Sequence, residues 1–361
     1  MPNKIYVSQR TNRHIIKRLD SDVNPAVYDS ASFGTYKVPG VIDTTLNYPW
    51  GITADSSNNI YVCDTKNKRI VKLDSDLAFV DKYDTIPTVG EPYAIMYDST
   101  TGSLYIVGVY AHIYIRIERI TTALVQEKLS DNLNLMNDLW FRPTSIMRIN
   151  PTDFAVGGSN LGLFFTTEGT GFSAFSQQMI DGEYSRWPEI YTKVQYMGVI
   201  KHSNGNIYLN DGKRILKVDG STFANLGDSD LISETLTILK EGVSNSLLTF
   251  DIDNKKIVRY DEDLNYVEDI YWHQLRINYN TLVGSFQVGE EVRVSSGYTY
   301  GKGIIASDNG MTMYVTVTRE GFEESVSLAG VTSEATCNVT SIDGEIEVDA
   351  NEIMDLVEII V

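Results

Sequence analysis

Short hydrophobic runs, each followed by a polar turn, recur along most of the chain. The clearest example places an apolar strand at residues 60–64 and a second one at 69–73, separated by the polar residues 65–68. The same pattern returns at residues 247–261 and, in weaker form, at residues 5–20. Self-similarity of this kind is typical of repeat architectures. The pattern therefore predicts that most of the protein is built from one repeated β unit.

Six such units can be aligned along the chain. They are centred on Tyr6, Tyr61, Tyr105, Ala155, Tyr208 and Leu248. An apolar strand precedes each aligned strand, as at residues 49–55, and a more variable strand follows, as at residues 79–83. Four short strands per repeat, at a period of about 40 to 55 residues, are typical of propeller blades. We therefore predict an all-β fold with a six-bladed β-propeller over residues 1–280.

The second unit carries the most specific motif. It has Pro-x-Gly-Ile at 49–52, Ile-Tyr-Val-x-Asp at 60–64 and Asn-Lys-Arg-Ile at 67–70. In this order the three elements resemble the NHL-repeat family of β-propellers. The resemblance implies a fold and leaves the function open, because propellers support unrelated activities.

The first unit lacks the apolar strand that precedes the others. An unpaired inner edge is an aggregation hazard, so another segment is expected to cover it. Residues 275–279 follow the last complete unit and are apolar enough to be a strand. We predict that they close the ring by pairing beside residues 4–8.

The strand pattern changes after residue 280. Phe-x-x-Gly-Glu-x-Val at 286–292 leads to Ser-Gly and then Gly-x-Ile, and a weaker copy begins at Gly321. We predict a small β-barrel or sandwich module over residues 281–345. The arrangement resembles a β-module that recurs in bacteriophage structural proteins. Residues 346–361 form an acidic tail, either a last strand with a short amphipathic segment or an arm that orders against a partner.

Composition narrows the possible partners. The net charge of -18 argues against wrapping of nucleic acid and against anionic membrane surfaces. The two cysteines, Cys63 and Cys337, are too few for a disulfide framework, and no export signal is visible, so we expect a reducing compartment. No cofactor motif is present in the sequence, and we predict no cofactor.

Two patterns of polar residues have a chemical and a structural interpretation. The four histidines show no metal-ligand spacing. Aspartates recur at strand ends: Asp55, Asp64, Asp74, Asp251 and Asp261. Calcium binding would need several ligands within one loop, whereas aspartate commonly binds backbone amides at turns, which is the role we predict. A lactonase-like propeller with a metal in its channel stays open as an alternative.

One predicted face combines basic and aromatic residues. In a propeller, the turn between the second and third strands lies on the same face as the link into the next inner strand. The candidate binding residues on this face are Trp50, Tyr93, Trp140, Arg142, Lys68 and Arg214. Arginine and aromatic residues are favoured anchors of interfaces. Alternatively, the bases balance local acids and the aromatics cap the channel.

The resemblance to phage modules, together with the lack of a catalytic motif, predicts a non-enzymatic structural protein of a bacteriophage virion. Its expected place is the tail or tail attachment region, assembled in the cytoplasm of the bacterial host. Expected partners are other virion proteins, with the chain itself forming a homo-oligomer or ring, and no membrane or nucleic acid. The alternatives are a lactonase-like metal-dependent enzyme and an NHL-type module that binds nucleic acid or glycan.

Overall fold

The structure is a computed structural model of the chain. It describes all residues except 1–2, 10–13, 21–26, 36–38, 112–113, 131–132, 135–142, 159–161, 168–175, 178–197, 211–213, 223–224, 230–235, 252–255, 272–273, 296–300, 320–321, 323–324, 344–352 and 361. Within the described residues, strands dominate and the helical elements are short 3-10 turns, at Thr65–Asn67 and Val243–Asn245. The all-β prediction is confirmed.

The strands of the repeat region form antiparallel sheets in chain order. Sheet 1 contains β1 (Asn3–Gln9), β2 (Ile15–Asp20) and β3 (Val27–Gly34). Sheet 2 contains β4 (Pro49–Ala54), β5 (Ile60–Asp64), β6 (Arg69–Leu73) and β7 (Phe79–Asp84). Sheet 3 contains β8 (Glu91–Asp98), β9 (Ser103–Tyr110), β10 (Tyr114–Thr121), β11 (Gln126–Leu129) and β12 (Leu133–Asn134).

Three further sheets follow with the same connectivity. Sheet 4 contains β13 (Pro143–Arg148), β14 (Asp153–Gly158), β15 (Gly162–Thr167) and β16 (Ser176–Gln177). Sheet 5 contains β17 (Val199–Lys201), β18 (Ile207–Asn210), β19 (Ile215–Val218) and β20 (Asn225–Asp228). Sheet 6 contains β21 (Leu236–Glu241), β22 (Leu247–Asp251), β23 (Lys256–Tyr260) and β24 (Tyr266–Tyr271).

The next six strands form a closed barrel. They are β25 (Gln274–Val283), β26 (Glu291–Val294), β27 (Lys302–Asp308), β28 (Thr312–Arg319), β29 (Ser327–Gly330) and β30 (Thr336–Asp343). Around the barrel the strands follow the order β25-β28-β27-β26-β29-β30. The boundary predicted at residues 280 and 281 falls inside β25, which begins at Gln274.

The last strand, β31 (Ile353–Ile360), returns to sheet 1. It pairs antiparallel with β1, with Lys4 opposite Ile359 and Ser8 opposite Asp355. The prediction that residues 275–279 pair with residues 4–8 is therefore wrong. Those residues are occupied on both sides within the barrel, where β25 pairs with β28 and β30.

The first strands of neighbouring sheets contact one another along the series. β4 contacts β8, β8 contacts β13, β13 contacts β17, and β17 contacts β21. β31 contacts both β21 and β4, so that sheet 1 lies between sheets 6 and 2. Serial antiparallel sheets of four or five strands with this connectivity define an all-β protein of the β-propeller fold.

The hydrophobic core lies between adjacent sheets. Tyr6 and Ile16 of sheet 1 pack with Ile52, Val62 and Val71 of sheet 2, and corresponding clusters join the later pairs of sheets. A middle strand such as β5 is covered on both faces, and all five of its residues are buried. Burial on both faces explains why the aligned strands are continuous apolar runs rather than alternating ones. The barrel has a separate core.

Candidate interaction surface

The motif of the second repeat unit forms a tight turn with a buried polar centre. β5 ends at Asp64, a single 3-10 turn follows, and Lys68 adopts a left-handed conformation with a φ of 54° before β6 begins at Arg69. The turn is closed by the backbone N–H of Lys68, which donates to the carbonyl of Thr65. This geometry turns the side chains of Asp64 and Arg69 toward each other.

Asp64 and Arg69 clamp the segment that enters sheet 2. The guanidinium of Arg69 donates to the Asp64 carboxylate at 2.7 Å and also donates to the carbonyls of Val41, Ile42 and Thr45. The backbone N–H of Asn47 donates to Asp64 at 2.6 Å. One buried ion pair therefore fixes residues 41–47, while the side chains of Val41 and Ile42 remain exposed.

The environment of Asp64 acts on its carboxyl group in two directions. Burial raises the pKa of Asp64, whereas the hydrogen bonds from Asn47, Asn67 and Arg69 favour the ionised form. The amide of Asn67 also donates to the carbonyl of Gly40, which extends the clamp to the start of the loop. The three motif residues Asp64, Asn67 and Arg69 thus hold the loop in place.

Trp50 and Tyr93, two of the predicted binding residues, lie together in the core between sheets 2 and 3. Their rings are 5.0 Å apart in an edge-to-face arrangement, and only 2% of Trp50 and 5% of Tyr93 is exposed. The Trp50 carbonyl accepts a hydrogen bond from Ser8, and the Tyr93 hydroxyl donates to Glu91. Both aromatic side chains pack neighbouring sheets together.

The basic members of the predicted set are more accessible. Lys68 is half-buried at the turn described above, and its carbonyl accepts a hydrogen bond from the N–H of Thr85. Arg214 is half-exposed at the corresponding turn of sheet 5, where it forms an ion pair with Asp228 at 2.9 Å. Trp140 and Arg142 lie outside the described residues. The six residues as one binding surface remain a prediction.

Several other bases of the repeat region also form ion pairs. The pairs include Lys66 with Glu91, Lys82 with Asp43, Lys256 with Asp269, and Arg259 with Glu268. The hydrogen bond from Lys82 lowers the pKa of Asp43. These pairs match the alternative interpretation in which bases balance local acids.

Among the recurring aspartates, Asp55, Asp74 and Asp261 bind the backbone of their own turns. The Asp55 carboxylate accepts the backbone N–H groups of Ser57 and Asn59 and the hydroxyl of Tyr61. Burial acts to raise the pKa of Asp55, but the hydrogen bonds outweigh it and the pKa is lowered. Asp74 and Asp261 accept backbone N–H groups of their turns in the same way. This is the structural role predicted from the sequence.

In the described part of the chain, His, Cys, Asp and Glu side chains do not gather in groups of three or more that could hold a metal ion. The same residues include no helix that is long and apolar enough to cross a bilayer.

Two carboxylates have specific hydrogen-bond partners that the sequence does not reveal. Glu118 in β10 is fully buried and accepts hydrogen bonds from the hydroxyls of Tyr83 at 2.6 Å and Thr88 at 2.7 Å. Burial raises the pKa of Glu118. Glu290 binds two turns of the barrel to each other. The Gly-Glu motif singled out Glu290, but nothing in the sequence distinguished Glu118 from a surface acid.

One repeat unit of the chain matches a known type of repeat. Residues 46–73 match the NHL repeat, the segment that contains the Asp64 and Arg69 clamp. The match covers one repeat unit, so it identifies the type of repeat rather than the whole chain. A comparison with curated protein sequences found no match.

Solved structures similar to this chain are distant in sequence. Virginiamycin B lyase from Staphylococcus aureus is 14% identical with a TM-score of 0.48, over 86% of this chain and 90% of that chain. A nidogen/laminin complex is 11% identical with a TM-score of 0.49, over 75% of this chain and 94% of the other. A streptogramin B lyase is 14% identical with a TM-score of 0.45, over 81% and 93% of the two chains.

Proposed function

We propose that the chain is a non-enzymatic structural protein of a bacteriophage virion, in the tail or its attachment region. The observation that carries this proposal is the position of the barrel. The chain leaves sheet 6 at Tyr271, builds the barrel over residues 274–343, and returns with β31 to complete sheet 1. The chain therefore connects the barrel module to the repeat region both before β25 and after β30, which suits a part that must keep a fixed orientation in an assembly.

We further propose that the six sheets are the six blades of a single ring, closed by β31. The cyclic contacts among the first strands of the sheets support this arrangement. A module inserted into a closed ring keeps its position, because neither of its two chain connections to the ring can separate from the ring unless the ring opens. Such rigidity is useful for a protein that joins other proteins in a particle.

The barrel motif supports the assignment to a phage. Its Phe-x-x-Gly-Glu-x-Val pattern resembles the β-module of phage structural proteins, and here Phe286 packs in the barrel core while Glu290 ties the two copies of the pattern together. The motif residues thus have structural roles that explain their spacing. We propose that this module anchors the protein to other virion components.

The partner surface on the repeat region is proposed to include the clamped loop. The apolar side chains of Val41 and Ile42 are exposed although their carbonyls are held by Arg69. A preorganised apolar loop loses little conformational entropy on binding. Lys68 and Arg214 would add polar contacts at the rim of the same face.

Proteomic analysis of purified particles of the phage that encodes the chain tests the assignment to a virion. We expect the full-length chain at a stoichiometric copy number in intact particles and its loss, together with tail function, when the gene is deleted. A second strain carries a deletion of residues 274–343 closed by a short linker. If the shortened protein still enters particles normally, the barrel is not the anchor; if the intact protein is absent from particles, the assignment to a virion is wrong.

A further inference from the structure

The barrel has two ends of different character. β25 starts just after sheet 6, and in the strand register Arg276, near the start of β25, lies opposite Asp343 at the end of β30. The barrel end that contains these two positions therefore lies next to the connections with the repeat region. The opposite end is formed by residues 281–290, 309–312 and 331–335, which we call the barrel tip. Every residue of the barrel tip is described by the structure.

The three segments of the barrel tip meet each other. Val283 pairs with Thr336, and Gly284 lies so close to Ala335 that a Cβ at that glycine would be 3.2 Å from the Cα of Ala335. The N–H of Tyr279 donates to the carbonyl of Met311 at 2.9 Å, which brings the middle segment to the same end. The tip is therefore one surface rather than three separate loops.

Glu290 makes the tip rigid from within. Its carboxylate accepts the backbone N–H groups of Gln287, Thr332 and Ser333 and the hydroxyl of Ser333, at distances between 2.6 and 3.1 Å. A carboxylate that accepts several N–H groups makes strong charge-assisted hydrogen bonds. The turns on either side of it are thus held in a fixed relation.

The surface that these turns present is apolar. Four large hydrophobic side chains point into solvent: Val283 is 64% exposed, Val288 66%, Met311 72% and Val331 48%. Only two residues of the tip are charged, Glu290 and Glu334, and the first of these is buried. Interface cores are depleted of charged residues in the same way.

The charge of the whole chain favours a second copy of the chain as the partner of the barrel tip. At a net charge of -18, two copies repel each other over most of their surfaces. The barrel tip carries neither lysine nor arginine to attract an acidic partner, and one exposed acid does little to attract a basic one. An uncharged apolar surface on a strongly acidic protein is the place where two copies meet with the least repulsion.

We infer that the barrel tip is a self-association surface that takes the tip of a second copy of this chain. A contact of this kind is isologous, since the same patch is used by both copies. The area of one barrel end is small, so the association is weak in dilute solution. The inference does not depend on the assignment to a virion, because it concerns the purified chain alone.

Sedimentation velocity of the purified full-length chain tests the inference. We expect the average mass to rise with protein concentration, and to rise further when salt is added, because salt screens the repulsion between acidic copies. Val288→Glu and Met311→Glu, on two different turns of the tip, should each keep the protein monomeric under the same conditions. Val125→Glu, at an exposed valine in a hairpin of sheet 3, is the matched control and should associate like the unmodified chain.

Circular dichroism and thermal melting accompany each variant, and the substituted side chains are exposed, so the fold should be retained. If the chain stays monomeric at every concentration and salt level, the inference is overturned, and the partner of the barrel tip is then a protein other than a second copy. Association that survives both tip substitutions also overturns it, because the contact then lies elsewhere.

Discussion

The guanidinium of Arg69 donates a 2.7 Å hydrogen bond to the Asp64 carboxylate, and the side chain of Asp64 is completely buried. Three backbone carbonyls of the loop before β4 accept further hydrogen bonds from the same guanidinium. The pair is therefore both a buried ion pair and the attachment point of a loop. Its loss would leave the buried Asp64 carboxylate with the hydrogen bonds from Asn47 and Asn67 but without its ion-pair partner, and would remove one donor from each of the three carbonyls.

Arg69→Leu is expected to lower the free energy of unfolding by about 3–5 kcal/mol, because it removes one partner of a buried ion pair. Arg214→Leu is the matched control, since it removes the arginine at the corresponding turn of sheet 5, where the ion pair with Asp228 is partly exposed. An exposed pair contributes about 0–1 kcal/mol. Urea unfolding of both variants measures the difference, and equal losses would contradict the structural role assigned to Arg69.

The repeat motif shows how much of the fold the sequence predicts. Local signals sufficed for β5 and β6, because an apolar run, a polar turn and a second run lie within 14 residues of one another, from Ile60 to Leu73. The role of the turn aspartates followed from the ordinary chemistry of Asx turns. Both depend on neighbours in the sequence.

The closing strand shows where prediction from sequence failed. Residues 274–283 and 353–360 are both apolar and strand-like, and either pattern fits the open edge of β1. The choice between the two segments depends on the barrel, because both edges of β25 are already paired there, with β28 and β30. Such long-range competition between edges leaves no local signal.

The predicted binding residues Trp50 and Tyr93 illustrate a related limit. Their aromatic character fits both an interface anchor and a core residue, and only the packing of sheet 2 on sheet 3 shows that both are buried. Glu118 is the opposite case, an acid in β10 whose burial depends on the hydroxyls of Tyr83 and Thr88, which lie far away in sequence.

Closure of sheet 1 by β31 can be tested with a proline. Val357→Pro is expected to disrupt the pairing of β31 with β1, where Val357 lies opposite Tyr6, because proline cannot donate to a ladder. Hydrogen exchange should then show lost protection of those amides of residues 4–8 that donate to β31, while the alternating amides that donate to β2 stay protected. Leu226→Pro, at an exposed position of the outer strand β20 where the register shifts, is the control and should leave those amides protected. Unchanged protection in Val357→Pro would argue against closure by β31.

The buried Glu118 predicts a specific pH dependence. Burial raises the pKa of Glu118 above its ordinary value of 4.5. In the pH range between 4.5 and the raised pKa, the folded protein therefore keeps a proton that the unfolded chain has lost. The free energy of unfolding contributed by this group therefore falls with rising pH. Glu118→Gln cannot ionise; its amide oxygen can accept from one of the hydroxyls of Tyr83 and Thr88, and its amide N–H can donate to the oxygen of the other. The substitution should therefore remove this fall and make the protein more stable above this range.

Urea unfolding at a series of pH values measures the effect of Glu118→Gln. Glu127→Gln is the control, because it removes a partly exposed carboxylate from the adjacent strand β11. If the pH profile of Glu118→Gln matches that of the unmodified chain, the buried carboxyl group does not govern stability in this range.

Glu290 should contribute a pH dependence of stability opposite in sign to that of Glu118. Burial acts to raise the pKa of Glu290, but the hydrogen bonds from Gln287, Ser333 and Thr332 outweigh it, and the pKa lies below the ordinary value of 4.5. Its contribution to stability is present above that value and is lost as the pH falls through the folded-state pKa. Glu290→Gln, which has one acceptor oxygen instead of two, is expected to cost about 1–3 kcal/mol through unsatisfied N–H groups.

Hydrogen exchange at the amides of Thr332 and Ser333 reports on Glu290→Gln directly, because both donate to the carboxylate. Glu291→Gln is the neighbouring control, since Glu291 pairs with the exposed Arg293. Faster exchange at these amides in both variants, or in neither, would show that Glu290 does not hold the turn.

The position of β31 also has a consequence for synthesis. Its partner β1 leaves the ribosome about 350 residues earlier, which at about 5–20 residues per second corresponds to about 18–70 s of waiting with one edge uncovered. During that time the exposed edge is open to chaperones or to wrong strands. A chain that stops before residue 353 never acquires the covering strand, so early termination products should be recognisable to the proteases of the cell by that bare edge alone.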